Sequence, residues 1–250
     1  MTDGFKDHFS RRSADYAASR PGYPTALVNW LAGVAPARSL AWDAACGSGQ
    51  LSTLLGVYFD RVVATDASSS QIAEARAHPQ VEYRVERAES TSLAGGSVDL
   101  ITVAQAAHWL ALEEFYGEVR RVARPGGVVA LVAYGLTQVN PAVDALVGDF
   151  YWGDLAGHWP PERKHIEEGY RDLPFPFERF EQPTFDMTVE WSPEQMVAYV
   201  RTWSAVKALE TAEGAARFDR FAADLRATWG EVTRQVRWPL TILCGRVSNG

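Results

Sequence analysis

Between residues 39 and 132, short unbroken apolar runs alternate with stretches whose apolar residues recur at helical spacing. Residues 39–44, 61–65, 81–85, 98–103 and 128–132 read as strands. The fourth, 98–103, shows too little polar alternation for a sheet with one wet side. Leu51, Leu54, Leu55 and Tyr58 mark one intervening helix. Ser68 and Gln71 form a capping-box pair for a helix through Ala77. Leu112, Phe115, Tyr116, Val119 and Val122 mark another, broken by Arg124-Pro125-Gly126-Gly127. Ahead of the series, Pro24 opens a helix with an apolar face of Leu27, Val28, Trp30 and Leu31. Strands alternating with helices predict a parallel sheet, and right-handed crossovers make it doubly wound. Its ligand site is expected at the carboxyl ends of the strands, near the switch point.

Beyond residue 135 the pattern loosens until Ser192-Pro193-Glu194-Gln195, a strong helix start. Phe218, Phe221, Ala222, Leu225 and Trp229 make a further amphipathic helix, and residues 238–247 a final strand. The expectation is one domain over 1–250: a lid over 1–35, a ligand-binding core over 36–135, a cap and substrate segment over 136–235, and a closing strand over 236–250.

Composition narrows the class. At 47% apolar and 22% charged, the chain can build an ordinary core, which excludes a disordered protein. The net charge of −7 disfavours a nucleic-acid partner, whose binding rests on Lys and Arg neutralising phosphates. No apolar run approaches the roughly 18 residues of a membrane span, and the polar start lacks an apolar signal core. Two cysteines, Cys46 and Cys244, make no disulfide framework and suit a reducing cytoplasm. His8, His78, His158 and His165 show no metal-ligand spacing. A small-molecule enzyme without a metal is the leading class; monomer and dimer stay open.

The chemistry concentrates after the first strand. Asp43, Cys46 and then Gly47-Ser48-Gly49 lead into a helix, and glycines let a backbone turn sharply and approach a ligand closely. The helix start adds free amides and a positive dipole end. The dinucleotide fingerprint needs a third glycine three residues after the second, and Ser52 stands there. Asp66 closes the second strand 17 residues after Gly49, where a carboxylate reads ribose hydroxyls or caps the next helix. Ala88-Glu89 follows the third strand, where a carboxylate can meet an adenine amino group or lie solvated.

Together these residues resemble the class I S-adenosylmethionine-dependent methyltransferases. That resemblance implies a doubly wound, mostly parallel, Rossmann-like sheet of seven strands with helices on both faces and a helical cap. It implies Asp43, Ala45, Gly47 and Gly49 against the cofactor's methionine part, Asp66 and Ala67 at its ribose, and Ala88 and Glu89 at its adenine. Arg124 to Gly127 matches the turn before the fifth strand. Val103-Ala104-Gln105-Ala106-Ala107-His108-Trp109 resembles the fourth-strand signature of the type 11 group close to trans-aconitate methyltransferases. The segment from Phe9 to Pro24 resembles their lid, with Tyr16 and Arg20 near the cofactor and Tyr23 near the acceptor. Tyr199-x-Arg201-Thr202-Trp203-Ser204 resembles a segment over the acceptor pocket. Arg87 departs from the small or acidic residue that many relatives carry before Ala88.

Methyl transfer asks the protein mainly to align acceptor and methyl group and to exclude water. A carboxylate acceptor needs no base, whereas a phenol or alcohol profits from one. His108 is the candidate base, or a packed histidine; Arg20 and Arg201 are candidate carboxylate partners. Gln105 joins the cofactor set, and Trp109 and Trp203 are candidate walls of the acceptor pocket. Trp152 is a third candidate wall, with core packing its favoured reading, and Cys46 is expected as a loop filler. The expected activity is transfer to a small molecule, with an acid as the favoured acceptor. Competing readings are a nicotinamide-dependent oxidoreductase, which Ser52 argues against, and a non-catalytic S-adenosylmethionine-binding protein.

Overall fold

The central strands are buried from both sides, while the edge strand Val81–Val85 alternates polar and apolar residues and is only partly covered. In the computed structural model, which describes residues 22–248, β1 (Leu40–Ala44), β2 (Arg61–Asp66), β3 (Val81–Val85), β4 (Val98–Ala104) and β5 (Ala123–Tyr134) lie parallel. A long last strand, β8 (Arg234–Arg246), runs antiparallel beside β5. Two short strands, β6 (Glu178–Arg179) and β7 (Asp186–Trp191), pair antiparallel with opposite ends of β8. The order is β3-β2-β1-β4-β5-β8-β6, with β7 also on β8: eight strands rather than seven, in the expected doubly wound arrangement.

Along β5, Val128, Ala130 and Val132 enter one apolar cluster while Val129, Leu131 and Ala133 enter another. The first is covered by α1 (Thr25–Val34) through Leu27, Val28 and Leu31, and by α2 (Gln50–Leu55) through Leu51 and Leu55. The second is covered by α4 (Leu112–Val122) through Phe115, Tyr116, Val119 and Val122. Each Val or Leu so buried contributes about 1.5–3 kcal/mol over leaving it exposed. Residues 25–34 are therefore part of the sheet's covering. The small helix α3 (Ser69–Ala73) buries nothing and stops short of the expected Ala77. Only half of its capping box forms, because the Ser68 amide donates to Asp66 Oδ1 (2.8 Å) instead of to Gln71. Strand β5 also begins five residues before the expected start. Ala123 pairs with Val98 and Val128 with Leu100, so Arg124 to Gly127 bulge out within the strand.

The loose segment builds a third cluster from α5 (Pro141–Asp149), α7 (Pro193–Arg201), α8 (Ser204–Glu213) and α9 (Ala216–Trp229). The predicted Ser192 capping box is complete, with Gln195 N–H to Ser192 Oγ at 3.4 Å and Ser192 N–H to Gln195 Oε1 at 2.9 Å. Between α5 and β6 lie a π-helical turn, Phe150–Asp154, and α6 (Arg163–Glu167). Trp152, expected in the core, is 57% exposed. It follows the fully buried Tyr151 on the π turn, and this turn sends the two neighbours in different directions.

Candidate functional site

Parallel strands bring their carboxyl ends to one rim, and the candidate residues gather there. Beyond β1 the chain passes through positive φ at Ala45 (52°), Gly47 (56°) and Gly49 (79°) before α2. A Cβ on Gly49 would lie 2.1 Å from the Tyr83 hydroxyl, so that position requires glycine for packing as well as conformation. A Cβ on Gly47 would meet nothing nearer than Gln71 Oε1 at 3.6 Å. Gly47 therefore leaves a cradle beside the loop that the protein's own packing does not demand.

Three acid groups frame this loop. Asp43 is buried under it and accepts from Ser52 Oγ (2.6 Å) and Thr102 Oγ1 (2.8 Å). Burial outweighs these bonds and raises its carboxyl to about 6. Ser52, which breaks the dinucleotide fingerprint, is thus a donor to Asp43. Asp66 accepts from the Gly47 amide (2.9 Å) and the Ser68 amide (2.8 Å), which orient it at the end of β2 with Ala67 half-buried behind it. A carboxylate accepts at up to about four positions, so this anchoring is compatible with ribose hydroxyls. Glu89 is half-buried, accepts from the Ala111 amide (3.2 Å) and pairs with Arg87 (3.3 Å), beside the buried Ala88. Arg87 thus holds the carboxylate that its presence put in question.

Beyond β4, Gln105 takes φ 58° and spends its amide on the Tyr134 carbonyl (2.9 Å). A single 3₁₀ turn, Ala107–Trp109, follows. His108 Nδ1 lies 3.0 Å from the Tyr170 hydroxyl, and its ring packs 4.8 Å from Trp109. Burial first, then the positive charge of Arg163, lower His108 to about 3, so the imidazole is neutral at neutral pH. The only non-glycine residues at positive φ among the described residues are Ala45, Gln105 and Tyr170. Each such residue costs roughly 1–3 kcal/mol, and such strain clusters at functional sites; all three belong to this rim or to the His108 contact.

The candidates do not all converge. Arg201 is exposed at the end of α7, pairs with Glu210 (2.9 Å) and lies over the Phe218 ring (4.9 Å). It serves the surface of the cap, because the short α7–α8 connection turns it toward those partners. Trp203 is buried, 5.7 Å from Tyr151 and 5.8 Å from Trp159. Tyr23 is half-buried between the cap cluster and the α1 face of the sheet. Tyr16 and Arg20 lie outside the described residues. Tyr170, Tyr151 and Arg163 escaped the sequence reading, because no local spacing marks them. Among the described residues no group of His, Cys, Asp and Glu could hold a metal ion, and no helix is long and apolar enough to cross a membrane.

A glycine loop on β1, an anchored acid at β2 and a doubly wound sheet define an enzyme class that binds a nucleoside-containing cofactor at the switch point. Residues 42–131 match the family model described as a methyltransferase domain. A Dictyostelium discoideum protein that carries a methyltransferase name is 37% identical over 208 residues, 82% of this chain and 79% of that one. A solved structure from Anaeromyxobacter dehalogenans, named a type II methyltransferase, is 49% identical with a TM-score of 0.88, over 92% of this chain and 99% of that one. A Saccharomyces cerevisiae protein named as an S-adenosylmethionine-dependent methyltransferase is 30% identical over 131 residues, 49% of this chain and 45% of that one. The chain belongs to the class I S-adenosylmethionine-dependent methyltransferases, and S-adenosylmethionine is its cofactor.

The residues fit that cofactor. The Gly47 cradle admits a ligand against backbone, the oriented Asp66 suits a diol, and the buried Asp43 suits a neighbouring cationic group. When bound, S-adenosylmethionine supplies a methyl group on a positively charged sulfur, an electrophile that needs no further activation.

Proposed function

We propose that the chain methylates a small carboxylic acid. The observation that carries this reading is the state of His108. It is the titratable side chain at the β4 rim, yet it is half-buried, bonded to Tyr170 and held at about 3 by burial and the nearby Arg163 charge. So weakly basic an imidazole suits an acceptor with no proton to lose, and a carboxylate arrives ionised at neutral pH. The resemblance of residues 103–109 to the trans-aconitate methyltransferase group supports the same class. The net charge of −7 speaks against a nucleic-acid acceptor.

In this reading Gly47, Gly49, Ala45, Asp43 and Gln105 hold the cofactor's methionine side together with Tyr16 and Arg20. Asp66, Ala67, Ala88 and Glu89 hold its nucleoside. Tyr23, Trp109 and Trp203 wall the acceptor, His108 positions it, and the protein works in the cytoplasm. The test is labelled S-adenosylmethionine with panels of small acids, phenols and amines, run on wild type and His108→Ala. The expected result is transfer to an acid with kcat changed by less than about threefold in the variant. Turnover of a phenol or alcohol that falls by roughly 10²-fold in His108→Ala, the usual share of a general base, would overturn the acid reading.

A further inference from the structure

We infer that Arg163 is the acceptor's anion anchor: its guanidinium, stacked in an aromatic notch beside the His108 turn, receives the carboxylate of the incoming acid. The inference rests on the acid-acceptor reading above and names the residue that selects it.

The notch is built mainly by residues 151–163, with Trp203 brought in from further along the chain. The π-helical turn supplies Tyr151, whose hydroxyl donates to Glu167 Oε1 (2.7 Å) and accepts from Arg163 Nε (2.7 Å). Trp159 closes the other side, with the guanidinium 5.0 Å from its ring centre and 5.6 Å from that of Tyr151. Trp203 packs behind both rings. The helix α6 that carries Arg163 packs against the turn Ala107–Trp109, so the charge stands at the carboxyl end of β4. Its effect is felt there, since after burial the Arg163 charge contributes most to opposing protonation of His108. Tyr170, three residues beyond α6, completes the contact through its hydroxyl bond to His108. π-Helical turns are rare and are found disproportionately at functional sites.

Several arginines have no carboxylate partner, Arg220 and Arg234 for example, but among the described residues Arg163 is the one whose guanidinium lies over two aromatic rings. Arg201, Arg217 and Arg226 in the cap each have a carboxylate within 3.3 Å. Among the described residues no carboxylate lies within ion-pair distance of Arg163, and none accepts a hydrogen bond from its Nη1 or Nη2. The residue is half-buried, so this is not the solvated arginine of an open surface. Stacking and the Nε bond fix the plane of the fork and leave its Nη1–Nη2 edge as a bidentate seat for a carboxylate. Because the side chain is held in place beforehand, little further ordering accompanies ligand binding.

The experiment titrates the protein, saturated with S-adenosylhomocysteine, with citrate, succinate and benzoate, and reads indole fluorescence and heat. Wild type is compared with Arg163→Gln and Arg163→Lys. At least one acid should bind wild type, bind Arg163→Gln about 10- to 100-fold more weakly, and recover in part with Arg163→Lys, which keeps the charge and loses the fork. The dissociation constant of S-adenosylhomocysteine should stay within about twofold in both variants, which also shows that they fold. With an acid that is turned over, the loss should appear in KM far more than in kcat. Equal acid binding by wild type and Arg163→Gln overturns the anchor and leaves the acid reading standing. Parallel loss of S-adenosylhomocysteine and acid overturns it as well, since Arg163 would then be a staple of the cap. If S-adenosylhomocysteine binds and no acid does, both the anchor and the acid reading fall, while the methyltransferase assignment stands.

Discussion

At the scale of single residues, the buried Asp43 carries electrostatic strain beneath the loop. Its carboxyl titrates near 6 in the fold against 3.8 without burial, so the folded chain binds this proton more tightly than the unfolded one. Protonation therefore favours folding. The stabilising contribution is whole below pH 4 and is lost as the pH rises through about 6. Asp43→Asn has no charge to expose and should gain on wild type in unfolding free energy between pH 4 and pH 7, with most of the gain between the two pKa values. Urea titrations at these pH values measure the difference, and a gap independent of pH would mean that Asp43 is not desolvated. The same residues show how far sequence carried the site. Gly47, Gly49 and Asp66 announce themselves through spacing, because backbone geometry and strand ends are local. Arg163 and Tyr170 do not, because their meaning arises when α6 is laid against the turn after β4.

At the scale of elements, the β1–α2 loop separates packing from binding at two glycines that look alike in sequence. Gly49→Ala sets a Cβ against the Tyr83 ring at φ 79°, and should cost about 1–3 kcal/mol of stability. Gly47→Ala has room within the protein and should cost less stability, at φ 56°, but should weaken S-adenosylhomocysteine binding more strongly. Denaturant unfolding alongside calorimetry ranks the two, and the opposite ranking would move the cradle to Gly49. α1, α4 and α9 were legible because each buries a continuous apolar stripe, and α7 because its capping box and first-turn proline mark its start. α3 overran its true end because it buries nothing that would hold its last turns. β8 began four residues before its expected start because Arg234 to Pro239 pair with β7, a partner set by the tertiary fold.

At the scale of the whole molecule, three apolar clusters meet on one sheet: two on its faces, and one that forms the cap. β8 belongs to all three, with Val236 and Trp238 in the cap, Ile242 and Cys244 on the α1 face, and Leu243 and Val247, just past its end, on the α4 face. The cap and the cofactor-binding sheet are joined through this strand, and Gln138 bridges to Arg237 where the cap begins. The cap's aromatic notch and the rim of β4 thus share one framework.

That shared strand also governs solubility. Val128 to Tyr134 offer their outer hydrogen-bonding groups to β8 alone, along a run whose side chains are at most 7% exposed. Without β8 the run becomes a flat apolar edge, the arrangement that recruits strands from other chains. A fragment ending at Tyr134 would keep the glycine loop, Asp66 and His108, yet it should emerge from size exclusion as aggregate. A soluble monomer would show that the edge is protected by something other than the returning chain. By the same reasoning, it is the returning last strand that seals the sheet against self-association.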